Sequence, residues 1–313
     1  MQATLDIVIV NWNTKKQLLN CLDSIANTVI KDSFILNKIF IVDNASTDNS
    51  LDGILQLDLP IFLIKNSENK GFAYGCNQGA KDSTADYLLF LNPDTLLYAD
   101  SLAKPLAFMQ APENKTIGIV GVQLMDEEGK VARSCARFPK TSTYLMKMLG
   151  LERFSHPHFM KEWDHMDSRE VDQIMGAFFL VRKELYNQLQ GFDERFFVYL
   201  EEVDFSLRAK QRGWTSFYLA DAKIFHAGGG SSNQVKAKRL FYSLQSRTLY
   251  AFKNFNTLSA TTLFLATFLI EPISRCARAL LKGSVEQAKE TCSAYTMLYK
   301  KIPSIFKTIC TQK

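Results

Sequence analysis

Closely spaced cysteines and the common phosphate loops are missing from this sequence. The six cysteines (Cys21, Cys76, Cys135, Cys276, Cys292 and Cys310) lie far apart, and none forms a C-x-x-C pair. That spacing excludes a zinc ribbon, an iron–sulfur cluster and a disulfide framework, so a reducing compartment is expected. Met1 to Asp6 offers no basic region followed by an apolar stretch and a small-residue cleavage site, and no secretory signal is expected. The absence of G-x-x-x-x-G-K-[ST] excludes that phosphate loop. The absence of G-x-G-x-x-G removes the main support for a dinucleotide dehydrogenase. There are no internal repeats.

What is present suffices for a folded body. Of 313 residues, 47% are hydrophobic and 22% charged, which marks a folding chain of one large domain or two modest ones. The formal net charge of +5 hides an asymmetry. Ser231 to Lys313 carries 13 Lys and Arg against 3 acids, whereas residues 1 to 230 carry 24 against 29. A basic C-terminal region behind a mildly acidic body points to an anionic partner. No motif interleaves aromatic and basic residues as nucleic-acid binding would ask, so a membrane surface is favoured over nucleic acid.

The first 125 residues alternate apolar runs with helical patterns. Leu5–Val10, Lys38–Val42, Ile61–Ile64, Tyr87–Leu91 and Ile117–Val122 read as strands, their unbroken apolar character matching strands covered on both faces. Between them, helical spacing appears at Leu18, Leu22 and Ile25, capped by Asn13 or Thr14. Ser46, Thr47 and Asp48 are expected to cap a second helix carrying Leu51, Ile54 and Leu55. Further helices are expected over Phe72–Lys81 and around Ser101–Met109. This alternation predicts an α/β fold with right-handed crossovers and a mostly parallel sheet, helices on both faces.

Beyond Gln123 the pattern changes. Asp126 to Lys130 reads as a turn and Ser134 to Ser168 as irregular. Ile174–Val181 reads as a strand, Glu202 to Gly213 as a helix, and Trp214–Leu219 as a strand. The run Gly228 to Ser232 after His226 looks like a domain edge. It divides the chain into 1–232, itself split near residue 125, and a basic helical region, 233–313. Within that region the 17 residues between Lys253 and Glu271 carry no charge, yet Asn256, Ser259 and several threonines dilute them. A buried or interfacial helix is expected rather than a span. Arg275, Arg278, Lys282 and Lys289 interleave with Ile273, Ala277, Leu280 and Leu281, a pattern suited to a membrane surface or to a helical subdomain packed on the body.

Ligands of an open parallel sheet bind beyond the carboxyl ends of its strands. The first strand ends in Asn11, Trp12 and Asn13, the second in Asp43, Asn44 and Ser46, and the fourth in Asn92, Pro93 and Asp94. One such residue would be an ordinary cap; three together favour a site. Asp43 suits a base N–H or ribose hydroxyl, and Asp94 a hard divalent cation bridging diphosphate oxygens. Asn69 to Gly79 brings glycines and amides, among them Gly71 and Asn77, to one loop-to-helix entry, expected to let backbone approach a ligand. Glu201, Glu202 and Asp204 open a helix, where capping and general-base roles both remain open. His226 is read either as structural or as a metal ligand.

Six blocks in order, DIVIVNWN (6–13), IVDNASTDNS (41–50), NKGFAYGCNQG (69–79), LNPD (91–94), MGAFFLVRKE (175–184) and GFDERFFVYLEEVDFSLRAKQRGW (191–214), resemble the inverting family-2 glycosyltransferases. Within that family the chain looks most like the bacterial rhamnosyltransferase branch. The resemblance implies a GT-A fold over residues 1–232, with a nucleotide-sugar bound by 1–125 and an acceptor by 126–232. It implies that Asp43 contacts the nucleobase, and that Asn11, Asn13, Asn69, Gly71, Asn77 and Asn92 belong to the donor site. Asp94 matches the last carboxylate of the family's D-x-D element, Asn92 stands where its first carboxylate would be, and His226 completes a site for Mg²⁺ or Mn²⁺. Glu202 matches the catalytic base, with Glu201 as second choice. The implied reaction transfers L-rhamnose from a dTDP donor to a hydroxyl of a glycan or lipid-linked acceptor, at the cytoplasmic face of the cell membrane. A UDP- or GDP-sugar donor and a non-catalytic nucleotide-sugar-binding module are the alternatives.

Overall fold

The computed structural model describes residues 2–28, 34–151, 158–228 and 235–310. The chain forms two compact units. The first comprises Met1–Arg137, Phe159–Glu194 and Glu201–Ser231; the second comprises Phe138–His158, Arg195–Leu200 and Ser232–Lys313. The sequence-based division placed 138–158 and 195–200 with the α/β body, whereas here they cluster with the C-terminal helices. The edge expected at Gly228–Ser232 lies, beyond Gly228, outside the described residues, as does His156.

Along the chain the elements of the first unit run β1 (Thr4–Asn11), α1 (Gln17–Ala26), β2 (Ile35–Asp43), β3 (Ile61–Lys65), α2 (Phe72–Ala80) and β4 (Tyr87–Leu91). They continue with β5 (Thr95–Leu97), α3 (Ala103–Gln110), β6 (Ile117–Met125), β7 (Val131–Ala132) and β8 (Cys135–Ala136). In the second unit α4 (Thr141–Leu149) follows. The first unit resumes with β9 (Arg169–Val171), β10 (Gln173–Ile174), β11 (Phe178–Arg182), α5 (Lys183–Gln188), α6 (Glu201–Gln211) and β12 (Thr215–His226).

The main sheet has the order β3-β2-β1-β4-β11-β6-β12-β5. Strands β3, β2, β1 and β4 are mutually parallel, and β12 runs parallel to β6. Strand β11 lies antiparallel between β4 and β6, and β5 antiparallel to β12. Alternation within each strand feeds two cores. Leu5, Ile7 and Ile9 join Ile39, Ile41, Leu89 and Leu180 on one face, under Leu18, Leu22, Ile25 and Leu106 of α1 and α3. Val8, Val10, Phe40, Phe90 and Phe179 fill the other face, under Ala73 and Cys76 of α2 and Phe205 of α6. Each side chain buried this way contributes about 1.5–3 kcal/mol, which is why the strands read as continuous apolar runs. Helix α2 sits so close to the sheet that a Cβ on Gly79 would come within 2.5 Å of Val8 Cγ1. This glycine serves helix–sheet packing rather than a ligand.

Three expectations are corrected. Ser46, Thr47 and Asp48 start no α-helix; that stretch is a loop with one 3-10 turn, Ile54–Gln56, because the polar side chains bond instead to the loop after β1. Asn13 and Thr14 do not cap α1, whose N-cap is Lys16. The strand expected over 174–181 is broken at Met175–Ala177 into β10, paired with β8, and β11 in the main sheet. The irregular stretch also contains α4, which closes on Gly150 with a left-handed φ of 73°.

The second unit is helical. It adds α7 (Lys236–Asn254), α8 (Thr257–Leu265), a π turn at Ala266–Ile270, α9 (Glu271–Leu281) and α10 (Val285–Cys310) to α4. Met148 of α4 packs with Ala251, Ala260, Leu263 and Ala266. Arg247 pairs with Glu271, both buried. The 25 residues Thr257–Leu281 are long and apolar enough to cross a membrane by length and composition, although Leu258, Leu265, Leu269, Ile273 and Leu280 on them are exposed.

Candidate active site

The parallel register brings Asn11, Asp43 and Lys65 into one row at the carboxyl ends of β1, β2 and β3. Asn11 is fully buried, and its Nδ2 donates to Asp43 Oδ1 at 2.8 Å, with Ser46 Oγ at 3.0 Å and Ser50 Oγ at 2.9 Å also in range. Asp43 Oδ2 accepts from the Ser46 backbone N–H at 3.1 Å. Hydrogen bonds to a carboxylate contribute about 1.5–3 kcal/mol each and fix its orientation. Two oxygens offer about four acceptor directions, so Asp43 keeps capacity for a ligand N–H or hydroxyl. Asn13 is held in left-handed backbone, φ 53°, with its Oδ1 accepting from the Thr47 N–H at 2.8 Å. Ala45, at φ 58°, adopts the same conformation in the neighbouring loop. For a residue with a Cβ that conformation is costly and collects at functional loops.

The Asn69–Gly79 segment is tied to the same edge. Asn69 Oδ1 accepts from the Gly71 N–H at 2.9 Å, and the Gly71 carbonyl accepts from Asn44 Nδ2 at 3.0 Å. Asn77 has a different task from the one expected. Its Oδ1 accepts from Tyr186 OH at 2.7 Å and the Phe192 N–H at 2.9 Å. Its Nδ2 donates to the Phe192 carbonyl at 2.8 Å and Glu194 Oε1 at 2.9 Å. All four hydrogen-bonding positions of that amide are taken within the protein, so Asn77 holds the 191–194 turn and has none left for a donor.

Strand β5 decides the next part of the site. Its Thr95 pairs with His226 at the end of β12, and the Ala227 N–H donates to the Asp94 carbonyl at 3.2 Å. His226 Nε2 thereby lies 3.4 Å from Asp94 Oδ1, with both side chains only slightly exposed. Two cis ligands of an octahedral cation, each about 2.1 Å from it, stand about 3 Å apart, so a carboxylate and an imidazole at this spacing fit one divalent ion. No group of three or more metal-ligating side chains occurs among the described residues. The pair would leave the remaining positions to diphosphate oxygens and water, as such ions prefer.

The Asn92 N–H donates to the Ala177 carbonyl at 3.0 Å, tying the β4 end to the break between β10 and β11. At that break a Cβ on Gly176 would stand 4.0 Å from Glu202 Cβ and Cγ. Glu202 thus shares the loop neighbourhood of Asn92. Glu201 is buried, and its Oε2 has no hydrogen-bond partner among the described residues. Burial first, and the adjacent Glu202 carboxylate second, push the Glu201 carboxyl well above the usual range. Asp204 is spent on structure: it binds Arg208 Nε at 2.7 Å, and Arg208 donates to the carbonyls of Leu189 and Gly191. Tyr199 and Leu200, with φ of 71° and 69°, form a left-handed pair directly before α6.

Sequence reasoning placed Ser46 at the strand end but missed its backbone support of Asp43, and missed Ser50 as a partner of Asn11 and Gly176 as the neighbour of Glu202. The signal for the serines was present, since a run of Asn, Ser, Thr and Asp after a strand competes with helix formation by bonding nearby backbone and side chains.

A family model described as Glycosyl transferase family 2 matches residues 6–190, more than half of the chain. The protein belongs to glycosyl transferase family 2. This glycosyltransferase is 25% identical over 256 residues to an N-acetylglucosaminyl-diphospho-decaprenol L-rhamnosyltransferase of Mycobacterium tuberculosis, across 77% of this chain and 81% of the relative. It is 30% identical over 168 residues to the rhamnosyltransferase WbbL of Escherichia coli K12, across 53% of this chain and 61% of that one. Among solved structures, the mannosyltransferase PcManGT of Pyrobaculum calidifontis, in complex with GDP-Man and Mn²⁺, superposes with a TM-score of 0.55 at 16% identity, covering 99% of this chain and 84% of that one. At that identity the likeness establishes the GT-A-like α/β fold of this family-2 glycosyltransferase and nothing finer.

Proposed function

We propose that this glycosyltransferase moves L-rhamnose from dTDP-L-rhamnose to a hydroxyl of a lipid-linked glycan acceptor, with inversion at the anomeric carbon, at the cytoplasmic face of the cell membrane. The observation that carries the transfer reading is the meeting of Asp94 and His226 at 3.4 Å on the sheet edge that also presents Asp43. The choice of rhamnose is supported by the names of the two rhamnosyltransferase relatives. A lipid-linked acceptor is supported by the diphospho-decaprenol in one of those names, and by the basic, partly apolar helical unit.

In this mechanism Asp43 accepts a hydrogen bond from the base or ribose, with Asn11 and the Ser46 N–H holding its carboxylate in place and Ser50 in range of Asn11. Asn13, Asn69 and Gly71 shape the donor cradle through their loops, and Asn92 lies beside the diphosphate. Asp94 and His226 would hold a Mg²⁺ or Mn²⁺ ion, which supplies charge stabilisation to the leaving diphosphate. Glu202 takes the proton of the acceptor hydroxyl as its oxygen bonds to the anomeric carbon and the bond to the diphosphate oxygen breaks. The nucleoside diphosphate departs on the opposite side.

Calorimetric titration with dTDP, UDP, GDP and ADP, each with and without Mn²⁺, followed by assay of the corresponding sugar donor, tests this reading. Metal-dependent preference for dTDP is expected. A preference for UDP or GDP would discard rhamnose, binding of dTDP without turnover of its sugar would favour a non-catalytic nucleotide-sugar-binding module, and no binding of any of them would discard both.

A further inference from the structure

Within the helical unit, a cavity of about 230 Å³ opens between the C-terminal end of α4, the face of α9 and the first turns of α10. Its walls include Lys147, Glu271, Arg275, Arg278, Lys282 and Thr291. Four cations and one carboxylate therefore face one small space. The carboxylate is already committed. Glu271 is paired with Arg247 and accepts from Arg275 Nε at 2.8 Å, and Arg247 also donates to Thr267 Oγ1 at 2.9 Å. Burial alone would raise the Glu271 carboxyl, but the two guanidiniums outweigh it and hold the group below its usual range.

The other three cations have no such counterpart. Arg278 donates to the carbonyls of Lys147 and Met148 at 3.3 Å each, which anchors its guanidinium at the end of α4 without neutralising it. Among the described residues, the ammonium groups of Lys147 and Lys282 have no acidic partner. A concave site with excess positive charge and planar guanidinium donors selects a tetrahedral oxyanion.

A second observation concerns the same helical run. Exposed Leu258, Leu265, Leu269, Ile273 and Leu280 recur at intervals of seven, four, four and seven residues, which places them on one stripe. Glu271, Arg275, Arg278 and Lys282 recur at four, three and four, a different stripe of the same run. Exposed Leu281 and Val285 flank Lys282 at the turn into α10. At about 100° per residue these cations lie across the helix from Ile273 and Leu280, so one face of α9 is apolar and the opposite one cationic, the division of an amphipathic helix at a membrane surface.

We propose that the α4–α9–α10 cavity is a binding site for a phosphomonoester or diphosphate group, held by Lys147, Arg275, Arg278 and Lys282. The inference deepens the membrane part of the functional reading and is independent of the donor sugar.

The test uses the full chain. Sedimentation with vesicles of phosphatidylcholine, alone or with added phosphatidic acid, measures the lipid-borne group; calorimetric titration with inorganic pyrophosphate measures the free one. Lys147→Ala/Lys282→Ala removes two lysines that have no acidic partner among the described residues. Its binding to phosphatidic acid vesicles, or to pyrophosphate, should fall by about tenfold or more. Leu269→Asp/Ile273→Asp should weaken binding to both vesicle types and leave pyrophosphate unchanged. Loss confined to the phosphatidic acid arm assigns the site to a lipid headgroup, and loss confined to pyrophosphate assigns it to a soluble anion. Failure of the wild type to bind either ligand, or unchanged affinities in the lysine variant, would overturn the proposal. Vesicle binding that persists without any phosphate preference would sink the cavity assignment while leaving the membrane reading intact.

Discussion

His226 Nε2 stands 3.4 Å from Asp94 Oδ1 because the three-residue strand β5 pairs with the last residues of β12. The two residues are 132 positions apart in sequence, and only the sheet makes them neighbours. A carboxylate alone is a weak anchor for a divalent ion; with an imidazole beside it the pair can retain one whose remaining positions face a diphosphate.

Replacing either member should uncouple donor binding from metal. Asp94→Asn and His226→Ala are each expected to lower kcat by about 10²–10³, the range for losing one stabiliser of developing charge. Titration of the nucleoside diphosphate should lose its Mn²⁺ dependence in both variants. A variant that retains full turnover and full metal dependence would remove that residue from the site.

Glu202 and Glu201 separate by kinetics. Glu202→Gln should reduce kcat by about 10²–10⁴ while donor affinity stays near the wild-type value, as for loss of a general base. Glu201→Gln should leave most turnover in place, because that side chain is buried whereas Glu202 is partly exposed. The reverse pattern would transfer the base to Glu201.

The buried Glu201 also makes stability depend on pH. Its native carboxyl binds a proton that the unfolded chain releases, so its contribution is full below the unfolded value near 4.5 and is lost as pH rises through the raised native value. In that window this group costs up to about 1.4 kcal/mol per pH unit. Glu201→Gln should flatten the alkaline limb of a Tm-against-pH profile and raise Tm at pH 8. An unchanged profile would mean that Glu201 is not buried as described.

Asn77 and Gly191 form one structural unit. A Cβ on Gly191 would come within 2.6 Å of Asn77 Oδ1 and 2.9 Å of Tyr186 OH, at a φ of 76°. Asn77→Ala should cost about 1–3 kcal/mol for the buried groups it leaves unpaired, and Gly191→Ala should cost at least as much through clash and backbone strain. Denaturant unfolding measures both. Asn77→Ala should leave donor affinity largely intact, since that amide reaches no ligand.

The parts of the fold that the amino-acid sequence determined on its own are those with strong local patterns. Tyr87–Leu91 is a strand because unbroken apolar residues can be buried only with both faces covered, and Ile61–Lys65, half-buried at the sheet edge, follows from its short β-rich run. Phe72–Ala80 is a helix because its small residues recur on the side that meets β1. The carboxyl-edge residues Asp43, Asn92 and Asp94 were legible for the same reason, since parallel strands deliver their ends to one side. Tertiary structure decided what short segments and polar side chains do. Three residues at Thr95–Leu97 have no local signal strong enough to make a strand; only the edge offered by β12 makes them one. Asn77 looks in sequence like a donor contact and becomes a structural clamp because Tyr186, Phe192 and Glu194 saturate its amide. Glu201 and Glu202 are neighbours of the same chemistry, yet the fold buries Glu201 and leaves Glu202 partly exposed near Gly176, a difference that no run of letters displays.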